Sequence, residues 1–179
     1  MADTPPDPLN GLAALLNEAF NIGAQISDDG ALHLRMDDDL AVSITTSPDQ
    51  TDMVFCSVLA DLTRGRAVVT LVTAMSLNLY QQDTRGGALA LDPASQTVVF
   101  CWRVPVKSVA STDWIIALEN FCATAVSLRS SLDEAVGEFS AEELREVDQR
   151  AAEEPGLSES GTLAALERVA ASAINYMRV

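Results

Sequence analysis

The sequence predicts an α+β fold, ordered helix, three strands, helix, two strands, helix. The strands form an antiparallel twisted sheet packed by the helices, and a helical C-terminal extension is added. Three observations predict this. Apolar residues recur at helical spacing over 8–21, 66–82 and 112–136. Short alternating or β-branched runs, bounded by turn residues, lie between them. After Gly137 the composition turns strongly acidic. The chain has 179 residues, and 11 Lys+Arg against 26 Asp+Glu give a net charge of −15. A chain of this size buries about 70% of its unfolded surface, enough for one domain with a core. The expected division is a disordered N-terminus at 1–7, an α+β domain at 8–136 and an acidic helical extension at 137–179.

Asp7 followed by Pro8 reads as an N-cap with proline at the first helical position. Leu9, Leu12, Leu15, Leu16, Ala19 and Phe20 then form a wide apolar stripe, and Gly23 suits the position just past the helix end. Residues 31–36 alternate, with Leu32, Leu34 and Met36 on one face and His33 and Arg35 on the other. Asp37 to Asp39 read as a polar hairpin tip before Leu40, Val42 and Ile44 alternate again. Met53 to Ala60 reads as a third strand.

The stretch 66–82 is apolar nearly all round. Val68, Leu71, Val72, Met75 and Leu79 share one side, and Val69 and Leu77 lie elsewhere. A helix apolar on more than one face is buried on more than one face, and the second face is available to another subunit. Ala88–Leu91 and Thr97–Val104 read as a hairpin that Pro105 ends. Ser111 or Thr112 caps a helix over about 112–136, whose stripe is Trp114, Leu118, Phe121, Ala125, Leu128 and Leu132. Ser140 and Glu143 match a capping box for a helix at 140–153, with Leu144 and Val147 to bury. Leu163, Leu166, Ala170, Ala173, Ile174 and Met177 form a last stripe.

The side-chain inventory points away from an enzyme. His33 is the one histidine and reads as a solvated strand residue without an evident partner. Cys56, Cys101 and Cys122 sit inside apolar runs, away from metal-ligand spacing, and read as reduced, buried small hydrophobes. Counting from Asp37, a calcium loop needs Gly and an acid where Val42 and Pro48 stand. No phosphate-cradling glycine loop or serine nucleophile elbow occurs. The charge opposes nucleic-acid and anionic-membrane binding. No apolar run reaches the roughly 20 residues of a membrane-spanning helix, and a signal peptide is not evident. A cytoplasmic protein without catalytic residues, metal or cofactor is the expectation.

The ordered set of elements resembles the class I type III secretion chaperones of bacteria, the Tir-chaperone-like family. The resemblance covers about residues 8–136. It is carried by the leading helix Leu9 to Phe20, the Asp28-Asp29-Gly30 turn into Leu32 to Met36, and the Val69-to-Tyr80 helix with Asn78 near its end. Gly87 to Asp92, Val98 to Arg103 and the Trp114-to-Leu132 helix complete it. It implies a secretion-chaperone-like fold, a homodimer and no enzymatic activity. The partner would be the N-terminal chaperone-binding segment of a secreted effector, held in extended form. The residues it implies for effector binding are Leu9, Leu12, Leu16, Phe20, Leu32, Leu34, Val42 and Ile44, which read equally well as plain core. For the dimer interface they are Val69, Val72, Met75, Ser76 and Leu79, within 67–80. The second reading is a regulatory protein of the sensory-transduction-regulator type, on the same scaffold but without a secretion client, and a third is an acid-based enzyme using Asp37 to Asp39 with a divalent ion.

Overall fold

The computed structural model describes residues 7–36, 40–62, 66–110 and 113–153. The first helix, α1 (Pro8–Phe20), starts as its sequence dictates: Asp7 accepts the Leu9 N–H at 3.1 Å, and Pro8 follows in the first turn. It ends two residues before the expected glycine. Asn21 takes the left-handed conformation (φ 52°), and its N–H donates to the Asn17 carbonyl. Asn tolerates that conformation because its short polar side chain bonds locally. The Asn17 side-chain amide then donates to the Ala24 carbonyl at 2.9 Å and its oxygen accepts the Ala24 N–H, fixing the exit of the chain.

The strands are β1 (Leu32–Arg35), β2 (Ala41–Thr46) and β3 (Asp52–Asp61), followed by helix α2 (Ala67–Leu77). Next come β4 (Ala88–Asp92) and β5 (Thr97–Pro105). They form an open antiparallel sheet in the order β1-β2-β3-β5-β4. In β1 and β2, Leu32 faces Ile44 and Leu34 faces Val42; in β2 and β3, Val42 faces Ser57 and Ile44 faces Phe55. Side chains alternate faces along a strand, so this register gathers Leu32, Leu34, Val42, Ile44, Met53 and Phe55 on one buried face. Asp37 to Asp39 lie outside the described residues; beside them the Met36 N–H donates to the Leu40 carbonyl at 2.9 Å.

Two further helices follow, α3 (Trp114–Gly137) and α4 (Ala141–Glu153). Ser111, Thr112 and the stripe from Leu163 to Met177 lie outside the described residues. The chain forms two compact units, with divisions after Val58, Val99 and Val126.

In the first unit α1 packs on β2, burying Leu9, Leu12, Ala13 and Leu16. Phe121 of α3 is fully buried among aromatic rings: Phe100 stacks on it at 5.0 Å and Phe55 lies at 5.6 Å. Phe55 also meets Trp114 and Trp102, each at 6.3 Å. Such pairs add to burial when their centroids lie within about 7 Å.

In the second unit Val69 of α2 and Val136 of α3 form a core, with Val72, Phe139 and Leu144 packed against it. The first turn of α4 is held by the expected capping box: the Glu143 N–H donates to Ser140 Oγ at 3.2 Å and the Ser140 N–H donates to Glu143 Oε2 at 2.9 Å. Leu144 therefore docks α4 on α2, so the start of the acidic segment belongs to the core of this unit.

Phe121→Ala removes the ring at the centre of the aromatic cluster. Urea denaturation should show a loss of about 3–5 kcal/mol relative to the parent chain.

Candidate functional site

The eight residues expected to bind a client do not form one open groove. Leu9, Leu12, Leu16, Leu32, Leu34, Val42 and Ile44 are all buried within the chain itself. A side chain that is already covered has no surface to give a second molecule. Phe20 differs: it is 55% exposed at the end of α1, and Ile22 beside it is 54% exposed. The Asn17 hydrogen bonds to Ala24 hold the turn that presents this pair. The sequence stripe placed Phe20 with the buried leucines because periodicity fixes the side of the helix, not where the cover over that side stops.

The five expected dimer residues divide differently. Val69 is buried in the core with Val136. Val72 is half-buried against that same core, and Ser76 is half-buried with its hydroxyl donating to the Val72 carbonyl at 3.0 Å. Met75 is 74% exposed and Leu79 57% exposed. Tyr80, just beyond Leu79, is 83% exposed.

Helix α2 thus sits with inverted polarity. Its buried positions are Val69, Thr70, Thr73, Ala74 and Leu77, while Val68, Leu71, Val72 and Met75 look outward in whole or in part. The Thr73 hydroxyl is buried without a hydrogen-bond partner, as is that of Thr84. After α2, Tyr80 (φ 60°) and Gln81 (φ 56°) are consecutive left-handed residues. Each costs about 1–2 kcal/mol relative to a right-handed conformation. This strained turn holds Tyr80 out beside Leu79. The Asn78 side chain meanwhile donates to the Leu89 carbonyl at 3.2 Å and accepts the Leu89 N–H at 3.1 Å. In this way it fills the outer edge of β4 at that residue.

The polar groups differ from their sequence reading in two places. His33 has a partner: its Nε2–H donates to Asp29 Oδ2 at 2.9 Å. That bond, followed by one from the Ala31 N–H, holds the Asp29 carboxyl below its ordinary range. The cysteines are half-buried rather than buried, and two of them meet: Cys56 Sγ of β3 lies 2.9 Å from Cys101 Sγ of β5. Their separation of 45 positions hid this contact. The signal available was strand parity, because each cysteine follows an inward phenylalanine or precedes an inward residue and so faces the other side of the sheet. Cys122 stands apart on α3, its thiol pushed up to about 11 by burial and then by Glu119. Among the described residues no group of three or more His, Cys, Asp or Glu is placed to hold a metal ion. No helix among them is long and apolar enough to cross a membrane.

An open five-stranded antiparallel sheet packed by helices places the chain in the α+β class. The Tir chaperone protein (CesT) family pattern matches residues 11–129, more than half of the chain. The chain belongs to this family. Comparison with curated proteins finds no match. Among solved structures, the chain is similar in fold to one in the ExsC–ExsE complex, with a TM-score of 0.57 at 15% identity over 70% of this chain and 96% of that one. It is similar to one in the HopA1–SchA chaperone–effector complex, with a TM-score of 0.53 at 15% identity over 70% and 91%. It is also similar to one in the heterodimeric ExoU–SpcU complex from the type III secretion system of Pseudomonas aeruginosa, with a TM-score of 0.51 at 16% identity over 68% and 93%.

The inverted polarity of α2 gives a prediction of unusual sign. Thr73→Val keeps the branched shape and removes a buried hydroxyl that has no partner, so it should stabilise the chain by about 1 kcal/mol in urea denaturation.

Proposed function

We propose that the chain is a type III secretion chaperone. It holds the N-terminal chaperone-binding segment of a secreted effector in extended form and keeps that segment soluble and competent for secretion. It works in the bacterial cytoplasm as a homodimer, without catalysis, metal or cofactor. The observation that carries this reading is the family match over residues 11–129. The solved relatives named as a chaperone–effector complex and as a type III secretion complex support it.

The physical requirements of the task agree. An extended client gains backbone hydrogen bonds at a sheet edge and anchors alternate apolar side chains in surface pockets. Strand order makes β1 and β4 the edges. Because Asn78 occupies the β4 edge at Leu89, β1 is the favoured place for an added strand, beyond the isolated bridge between Ile26 and Leu32. Phe20 and Ile22 supply apolar anchors at the end of α1. Leu9, Leu12, Leu16, Leu32, Leu34, Val42 and Ile44 serve beneath them as the packed support that fixes their position.

The dimer rests on α2. Met75, Leu79 and Tyr80, with the half-buried Val68, Leu71 and Val72, make a contiguous stretch of sequence whose apolar side is outward. Burial of such a surface against a second copy is worth about 25 cal/mol per Å². Val69 enters this interface as backing, from inside its own core. The net charge of −15 keeps the protein dispersed while apolar residues remain in solvent.

The test is co-expression with the N-terminal segment of an effector from the same secretion system. The segment should co-purify in soluble, protease-protected form. Phe20→Asp leaves the core untouched and should lower retention of the segment by about tenfold or more. Leu12→Asp places a charge in the core and should instead lower the yield of folded chaperone. Full retention by a folded Phe20→Asp protein would remove Phe20 from the site.

A further inference from the structure

The open face of the central strands carries chemistry that client binding does not use. Along β3 the inward residues Met53, Phe55, Ser57 and Leu59 are buried, while Val54, Cys56 and Val58 face the other way and are half-buried or exposed. Along β5, Phe100 and Val104 are inward, while Cys101 and Arg103 face out. The Val106 N–H donates to the Thr51 carbonyl at 2.8 Å, which sets the register of the two strands. Carried along the ladder, that register puts Cys101 opposite Cys56. An odd number of steps separates the two pairs, so the cysteines occupy a non-hydrogen-bonded position, where opposed side chains stand closest. The Sγ atoms are 2.9 Å apart and both residues are half-buried rather than sealed, which leaves an approach for a small oxidant.

We propose that Cys56 and Cys101 form a reversible redox pair, closed to a disulfide by hydrogen peroxide and reopened by a dithiol reductant. Cys101 is the attacking sulfur. A hydrogen bond from the Cys56 thiol holds its pKa down to about 7, while Cys56 itself is pushed upward, first by that same bond and then by burial. The Cys101 thiolate attacks one peroxide oxygen and breaks the O–O bond. Hydroxide leaves and is protonated to water, and Cys101 becomes a sulfenic acid. Cys56 then attacks the Cys101 sulfur. The S–O bond breaks, and the departing hydroxide takes the Cys56 proton to leave as a second water. Two thiols have lost two electrons in total, and the peroxide has gained them. Opposed residues at a non-hydrogen-bonded position hold their Cβ atoms near the lower end of about 4.5–5.5 Å, at the upper end of what a disulfide spans, so the bond closes without moving the strands and a dithiol can reopen it. Such lability suits a regulatory bond in a compartment that keeps structural disulfides open. The bond ties β3 to β5 through the face opposite the aromatic cluster and closes a long loop of the unfolded chain.

The test uses the full chain, reduced, desalted and treated with excess hydrogen peroxide. It is then capped with N-ethylmaleimide and weighed intact by mass spectrometry. Of the three cysteines, only Cys122 should take the cap. The chain should be lighter by two hydrogens apart from that cap, and digestion should yield a peptide joining Cys56 to Cys101. Dithiothreitol should restore three capping sites, and the oxidised form should melt at a higher temperature than the reduced one. Cys56→Ser should leave a Cys101 sulfenic acid that dimedone traps. Three caps after peroxide, sulfinic acids without the joined peptide, or links solely between separate chains would overturn the proposal. The parent chain alone decides between these results, even where a serine variant fails to fold.

Discussion

Helix α2 has more apolar surface than the other described residues cover, and much of the molecule follows from that excess. The side turned inward packs Val69 on Val136 but also accepts Thr70 and Thr73, the latter without a hydrogen-bond partner. The side turned outward carries Met75, with Leu79 and Tyr80 held beyond it by two left-handed residues. A chain selected to stand alone would gain by the opposite arrangement, since buried hydroxyls cost free energy and exposed apolar clusters promote association. A net charge of −15 opposes non-specific association of such a face, and the proposed dimer would remove it from water. Phe139 and Leu144 pack against the core that Val69 of α2 forms with Val136. The acidic segment therefore begins as part of that core, while Met75 stays exposed.

The sheet applies the complementary rule. Strict alternation in β1, β2 and β3 sends one set of residues to the core and the other to solvent, and the aromatic cluster around Phe121 fixes which set is which. Once Leu9, Leu12 and Leu16 are committed to that core, the apolar side chains left exposed at its rim are Phe20 and Ile22, which is why the proposed client site falls there. The same alternation sends Cys56 and Cys101 out together. A folded scaffold with an apolar rim and an edge strand suits a partner that brings its own extended backbone and has no fold of its own to dock.

Most of the fold was legible because its signals are local. Asp7-Pro8, the Ser140–Glu143 capping box, the alternation of Leu32 to Met36 and the Pro105 stop each act within a few residues, and each element appears where those signals place it. Asn21 closes α1 in place of Gly23, because a left-handed Asn satisfies the Asn17 carbonyl before the glycine is reached. The candidate site was less legible because exposure depends on what lies across from a residue. Periodicity put Phe20 and Leu16 on one stripe without showing that the cover ends between them. It put Val68, Leu71, Val72, Met75 and Leu79 on one side of α2 and left open which side faced the core. His33 found Asp29, and Cys56 found Cys101, through turn geometry and strand register that no single spacing encodes.

The account stands on association through α2, and sedimentation equilibrium of the full chain in reducing buffer tests it most directly. At low micromolar concentration the predicted result is a single species of twice the chain mass. A species of one chain mass that persists to tens of micromolar would contradict the account.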